Sequence, residues 1–154
     1  MPTAPSGRFG TVKIALLYLC IGLTPAFAQT AGSSVRITDD RGGNIGQYWA
    51  RYMAVRDAGQ QVIIDGACDS ACTLVLGIVP SSRICITPHA VLGFHAAYQH
   101  GFLGFKTTNA PATRTLWNFY PPPIRQWIAR NGGLGDNMLY LSGLELAAMY
   151  RQCH

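Results

Sequence analysis

Apolar residues recur along this chain first in short runs and then at helical spacing, and the switching lays out a series of short elements. Residues 34–38 predict a short strand, and the polar run Asp39-Asp40-Arg41-Gly42-Gly43-Asn44 predicts a turn. From Ile45 the positions Ile45, Tyr48, Trp49, Tyr52 and Met53 follow the i, i+3, i+4, i+7, i+8 pattern of one helical face, which Gly59 stops. Residues 62–65, 83–87 and 91–94 predict three further strands, and the apolar run 70–79, closed by Pro80, predicts a buried helix. Residues 101–111 read as an irregular loop rich in glycine and aromatics. A helix over 113–120 ends at Pro121-Pro122-Pro123, and Pro123 starts another over 124–130 that Gly132-Gly133 stops. A last helix, from about Gly143, carries Leu144, Leu146, Ala147 and Tyr150. Alternating strands and helices predict an α/β layered fold.

The first 28 residues follow a different pattern. Arg8 and Lys13, an apolar stretch over 14–23 and Ala26-Phe27-Ala28 before Gln29 have the order of a secretory signal peptide. Its apolar stretch is too short to span a bilayer, and no later stretch reaches the length a membrane helix needs. The expected product is an exported protein, periplasmic or secreted, with residues 29–154 forming one domain. Without Arg8 and Lys13, ten of the twelve basic residues stand against seven acidic ones, a net charge of +3. These bases are scattered, which argues against a nucleic-acid partner. Cys20 belongs to the discarded segment, leaving Cys68, Cys72, Cys85 and Cys153. An even count in an oxidising compartment predicts two disulfides, with three connectivities open. Cys68 with Cys72 and Cys85 with Cys153 is the preferred pairing, because an i, i+4 pair can come within disulfide reach and the other would tie down the C-terminus.

The chemistry concentrates at Ser70 and His95. Ser70 follows the turn 65–69 and opens the helix expected over 70–79, where free backbone N–H groups and the helix dipole favour an oxyanion beside a nucleophile. His95 ends the run 91–94, so it can face the serine as a general base from a strand end. Each has a plainer reading: Ser70 as an N-cap, His95 as a hydrogen-bonded histidine, Asp65 and Asp69 as turn-formers. A metal site at His89, His95 and His100 is disfavoured, since six- and five-residue spacings share no helical face. Lys106, the single lysine after the signal, raises a Ser-Lys dyad, although a solvated lysine is the simpler reading. The spacing of Cys68 and Cys72 differs from the C-x-x-C of thiol oxidoreductases and suits a structural staple.

Taken in order, Arg41-Gly42-Gly43, Val62-Ile63-Ile64-Asp65-Gly66, Ser70-Ala71-Cys72, Arg83-Ile84-Cys85-Ile86-Thr87-Pro88 and Gly93-Phe94-His95 resemble the ClpP-like branch of the ClpP/crotonase superfamily. They resemble most its predicted periplasmic members with a C-x-S-A-C nucleophile segment. The resemblance spans roughly residues 35–150. It implies a ClpP/crotonase-like spiral of βαβ units with right-handed crossovers, here in a minimal version. It also implies Ser70 as nucleophile, His95 as base, and the N–H groups of Gly43 and Ala71 as the oxyanion hole. The family's third catalytic residue is an aspartate ahead of a Leu-Ser helix start, matched here by Leu141-Ser142. Met138 stands at that aspartate's place, which leaves nearby Asp136 as candidate and a Ser-His dyad as alternative.

The function implied is an exported serine hydrolase, a peptidase, acting on a peptide or protein substrate without a cofactor or metal. The competing reading is a catalytically inactive ClpP-like domain that binds or scaffolds other proteins of the cell envelope. The family usually places a further strand and helix ahead of the double-glycine loop, where this chain has only residues 29–33. An open sheet edge that results would invite assembly into a homo-oligomer.

Overall fold

The computed structural model describes residues 1–3, 32–101 and 105–154. Almost all of the expected signal segment lies outside the described residues. Among the described residues no helix is long and apolar enough to cross a membrane.

Strand β1 (Ser34–Asp40) leads through Asn44 into helix α1 (Ile45–Asp57). The Asn44 side chain accepts from the Gln47 N–H at 3.2 Å, satisfying one donor that the first helical turn leaves free. The chain returns as β2 (Gln61–Asp69), parallel to β1. Strands β3 (Ile84–Ile86) and β4 (Val91–Phe94) pair in turn with the first and second halves of β2, both parallel. Strand β7 (Leu139–Ser142) closes the sheet antiparallel to β4. The fold is therefore mixed α/β, with a parallel centre and one antiparallel edge.

Tyr52 and Val55 of α1 pack on one side of a core that includes Ile64, Leu74, Leu92 and Phe94. Helix α3 (Ala110–Phe119) and helix α4 (Pro122–Arg130) add Leu116, Ile124, Trp127 and Ile128 to it. Phe94 meets the Tyr120 ring edge-on at 5.3 Å. Helix α5 (Gly143–Ala147) contributes Leu146. A Cys85–Cys153 disulfide holds the C-terminus beside β3, where Cys153 N–H donates to the Ile86 carbonyl at 2.9 Å.

Several boundaries differ from the sequence reading. The turn expected at 65–69 is strand, because pairing with Asp39 and Asp40 on one side and with β4 on the other carries β2 through it. The helix expected over 70–79 is a 3-10 turn (Ser70–Leu74) followed by a short helix α2 (Val75–Ile78). The loop expected over 101–111 contains β6 (Lys106–Thr108), paired antiparallel with β5 (Tyr98–His100). Both strands are exposed, so no apolar alternation marks them. β7, which covers Leu141-Ser142, was not expected, while the helix after it begins at Gly143 as read.

Asp65, expected in a turn, sits on β2 and holds three elements together. It accepts from Arg36 of β1 at 2.6 Å, from Thr87 at 2.6 Å and from His89 at 3.2 Å. The Thr87 hydroxyl, then His89 and Arg36, pull its carboxyl down to about 2. A lowered folded-state pKa stabilises above the unfolded value and loses that contribution as pH falls through the folded one. The melting-temperature gap between the parent and Asp65→Asn is therefore expected to stay constant above about pH 5, narrow below about pH 4 and close near pH 2. Thermal melts across that range check it, and a gap independent of pH would refute the assignment.

Candidate active site

β2 delivers Ser70 to the carboxyl edge of the sheet, and β4 delivers His95 to the same edge one strand away. Ser70 Oγ lies 2.8 Å from His95 Nε2. The other ring nitrogen, Nδ1, lies 2.6 Å from the Ala96 carbonyl oxygen. A carbonyl only accepts, so Nδ1 carries the proton and Nε2 of the neutral ring is free to accept from the serine hydroxyl. This is the tautomer a general base needs. The Tyr98 ring stacks on His95 at 5.7 Å and 22°, and Lys106 Nζ lies over the Tyr98 ring, 4.5 Å from its centroid.

Ser70 has φ +57°, the only non-glycine residue in the left-handed region among those described. That conformation costs about 1–2 kcal/mol for a side chain with a Cβ. It persists here because the Cys68–Cys72 disulfide, which starts from the end of β2, brackets the serine by two residues on each side. The strained turn lifts the hydroxyl out of the strand line and aims it at His95. The expected contribution of a long helix dipole falls away with the short 3-10 turn, leaving the local N–H groups as donors.

The glycine pair lies against this turn. Gly42 has φ +81°, and a Cβ added there would stand 2.5 Å from the Asp69 carbonyl oxygen and 2.8 Å from Ala71 N. Only glycine lets the loop approach so closely. Gly43, Ser70, Ala71 and His95 together line one cavity of about 480 Å3, whose far wall is Ile45, Ala112 and Leu116. A second, of about 600 Å3, meets the first at Gly43, Ser70 and His95 and is lined further by Arg41, Lys106, Thr108, Asp136 and Met138. The pair thus sits at the waist of a two-lobed cleft.

Asp136 shares the second lobe without reaching the histidine. Its carboxylate accepts from Thr108 Oγ1 at 2.6 Å, and the Nδ1 position it was expected to fill belongs to the Ala96 carbonyl. Asp69, expected as a turn-former, is instead the buried last residue of β2 and accepts from Arg41 Nη1 at 3.1 Å. The one signal for it was an acid held between two cysteines beside the serine. Tyr98 was missed because nothing in the sequence marks a ring three residues past the histidine as its neighbour. Among the described residues no three His, Cys, Asp or Glu side chains converge as metal ligands would.

No family model matches this sequence, and no curated protein matches it either. Among solved structures, a peptidase from Plasmodium falciparum is similar at a TM-score of 0.46 and 6% identity, over 80% of this chain and 78% of that chain.

Proposed function

We propose that this chain is an exported serine hydrolase of ClpP/crotonase-like type that cleaves peptide bonds through a Ser70–His95 dyad. The observation that carries the reading is the 2.8 Å approach of Ser70 Oγ to His95 Nε2 while the Ala96 carbonyl holds the proton on Nδ1. As the Ser70 oxygen attacks the acyl carbon, His95 takes its proton. The carbonyl electrons move onto oxygen, between the N–H groups of Gly43 and Ala71. The tetrahedral intermediate collapses when His95 returns the proton to the leaving nitrogen, and a water molecule then repeats the sequence to release the acyl group and restore Ser70.

A cleft that runs past the pair on both sides suits a chain-like substrate, with one segment on each side of the scissile bond. The two disulfides and the signal pattern support export, with residues 29–154 as the mature domain.

One observation favours a second reading, a catalytically silent peptide-binding domain. The Ala96 carbonyl is neutral, so it orients His95 but does little to stabilise the imidazolium formed during attack, as a carboxylate would. A fluorophosphonate probe separates the two. The parent, purified after export with its disulfides formed, is expected to be phosphonylated on Ser70, with loss of fluoride. Ser70→Ala and His95→Ala are expected to abolish labelling while keeping the parental circular dichroism. No labelling of the folded parent would leave the binding domain as the function.

A further inference from the structure

Arg41 directly precedes the glycine pair, and Asp69 directly precedes the serine. Arg41 Nη1 donates to Asp69 Oδ2 at 3.1 Å, and its Nε pairs with Asp39 at 2.7 Å. The two ends of the link sit in opposite environments. The Arg41 side chain is 69% exposed and that of Asp69 only 5%. An ion pair with one exposed partner adds little stability, and a buried carboxylate carries a desolvation cost that its partner must offset.

Asp69 carries that cost with one oxygen unused. Its Oδ1 is buried and has no hydrogen-bond partner among the described residues. It is wedged against Gly93, where an added Cβ would lie 2.3 Å away. A neutral side chain would fill this place at lower cost, so the carboxylate is better explained by what its other oxygen holds. What it holds is the residue at the base of the glycine loop. Asp40, next to Arg41 on the same flank of that loop, ties it to α1, accepting from Gly42 N–H at 3.0 Å, from Arg51 at 3.1 Å and from the Tyr48 hydroxyl. Asp40 therefore sets the loop on the helix, and Arg41 sets it against the serine turn.

We propose that Arg41 and Asp69 form a latch that fixes the spacing of the two oxyanion donors, Gly43 N–H on the glycine loop and Ala71 N–H on the nucleophile turn. This rests on the serine-hydrolase reading above. Both are positioning residues, since neither hydrogen-bonds to Ser70 or His95 side chains.

The test compares the exported protein with Arg41→Met, Arg41→Lys, Asp69→Asn and the Arg41→Met, Asp69→Asn double variant. Two readouts are taken: saturable phosphonylation by the fluorophosphonate probe, and 15N backbone order parameters at Gly42 and Gly43. In Arg41→Met the maximal phosphonylation rate is expected to fall about tenfold or more at an unchanged half-saturating probe concentration. The order parameters of Gly42 and Gly43 should drop toward the flexible range, below about 0.6. Arg41→Lys should recover most of both, and the double variant should be no worse than the poorer single one.

An Arg41→Met protein that melts lower yet reacts at the parental rate, with Gly42 and Gly43 still rigid, would show a purely structural pair and overturn the latch. If the parent is not phosphonylated, the hydrolase reading fails on its own. The order parameters then decide the latch separately: a selective loss at Gly42 and Gly43 supports it, and parental values overturn it.

Discussion

Gly42→Ala is expected to slow phosphonylation of Ser70 by about 10²–10³-fold, the scale of losing one oxyanion donor. The added Cβ would meet three atoms at once: the Asp69 carbonyl oxygen at 2.5 Å, Ser70 Cβ at 2.7 Å and Ala71 N at 2.8 Å. All three belong to the nucleophile turn, which the Cys68–Cys72 bridge prevents from relaxing away. The glycine loop must therefore give, carrying Gly43 N–H out of line with Ala71 N–H. The backbone at φ +81° adds a smaller stability penalty of about 1–2 kcal/mol. The separation of the two effects is the check. A variant that folds with a slightly lower melting temperature and loses its labelling fits, whereas a folded variant labelled at the parental rate would exclude this loop from the oxyanion hole.

Gly66→Ala should be the most damaging single methyl addition to stability. Gly66 lies in the middle of β2, where Asp65 and Gly66 together face the single residue Thr38 of β1, and its Cβ would stand 1.8 Å from the Thr38 carbonyl oxygen and 2.7 Å from Thr38 C. Backbone cannot rotate aside as a flexible side chain would, so β1 and β2 must separate locally. A loss of about 3 kcal/mol or more is expected, enough to lower the melting temperature by about 10 °C or to prevent folding. Gly135→Ala is the matched control. It has open space around its Cβ position and no positive φ, and it should melt within about 0.5 kcal/mol of the parent. Equal melting of the two variants would mean that β1 and β2 do not approach as closely as described.

The two glycines also show why part of this protein could be read from its sequence and part could not. α1 was legible because five apolar residues at helical spacing and a terminal glycine are local signals, and each acts within a few residues of its own position. Ser70 and His95 were legible for a related reason. Ser70 opens an apolar run just past one predicted strand and His95 ends another, so both were placed at the ends of buried strands, and two such ends in one sheet can meet.

The roles of Asp69, Asp136 and Tyr98 depend instead on which strands become neighbours. β4 pairs with β2 rather than lying apart, and that pairing brings His95 over Ser70 and buries Asp69 beneath Gly93. The chain after β4 turns so that the Ala96 carbonyl, not a carboxylate, reaches His95 Nδ1. No residue type announces a backbone carbonyl, since every residue has one. Local order in the sequence determined α1, the outline of the parallel strands and the positions of Ser70 and His95 beside them. Tertiary pairing alone decided the left-handed strain at Ser70, what orients the histidine and which acid is buried, because these depend on contacts between segments whose separation along the chain carries no periodic signal.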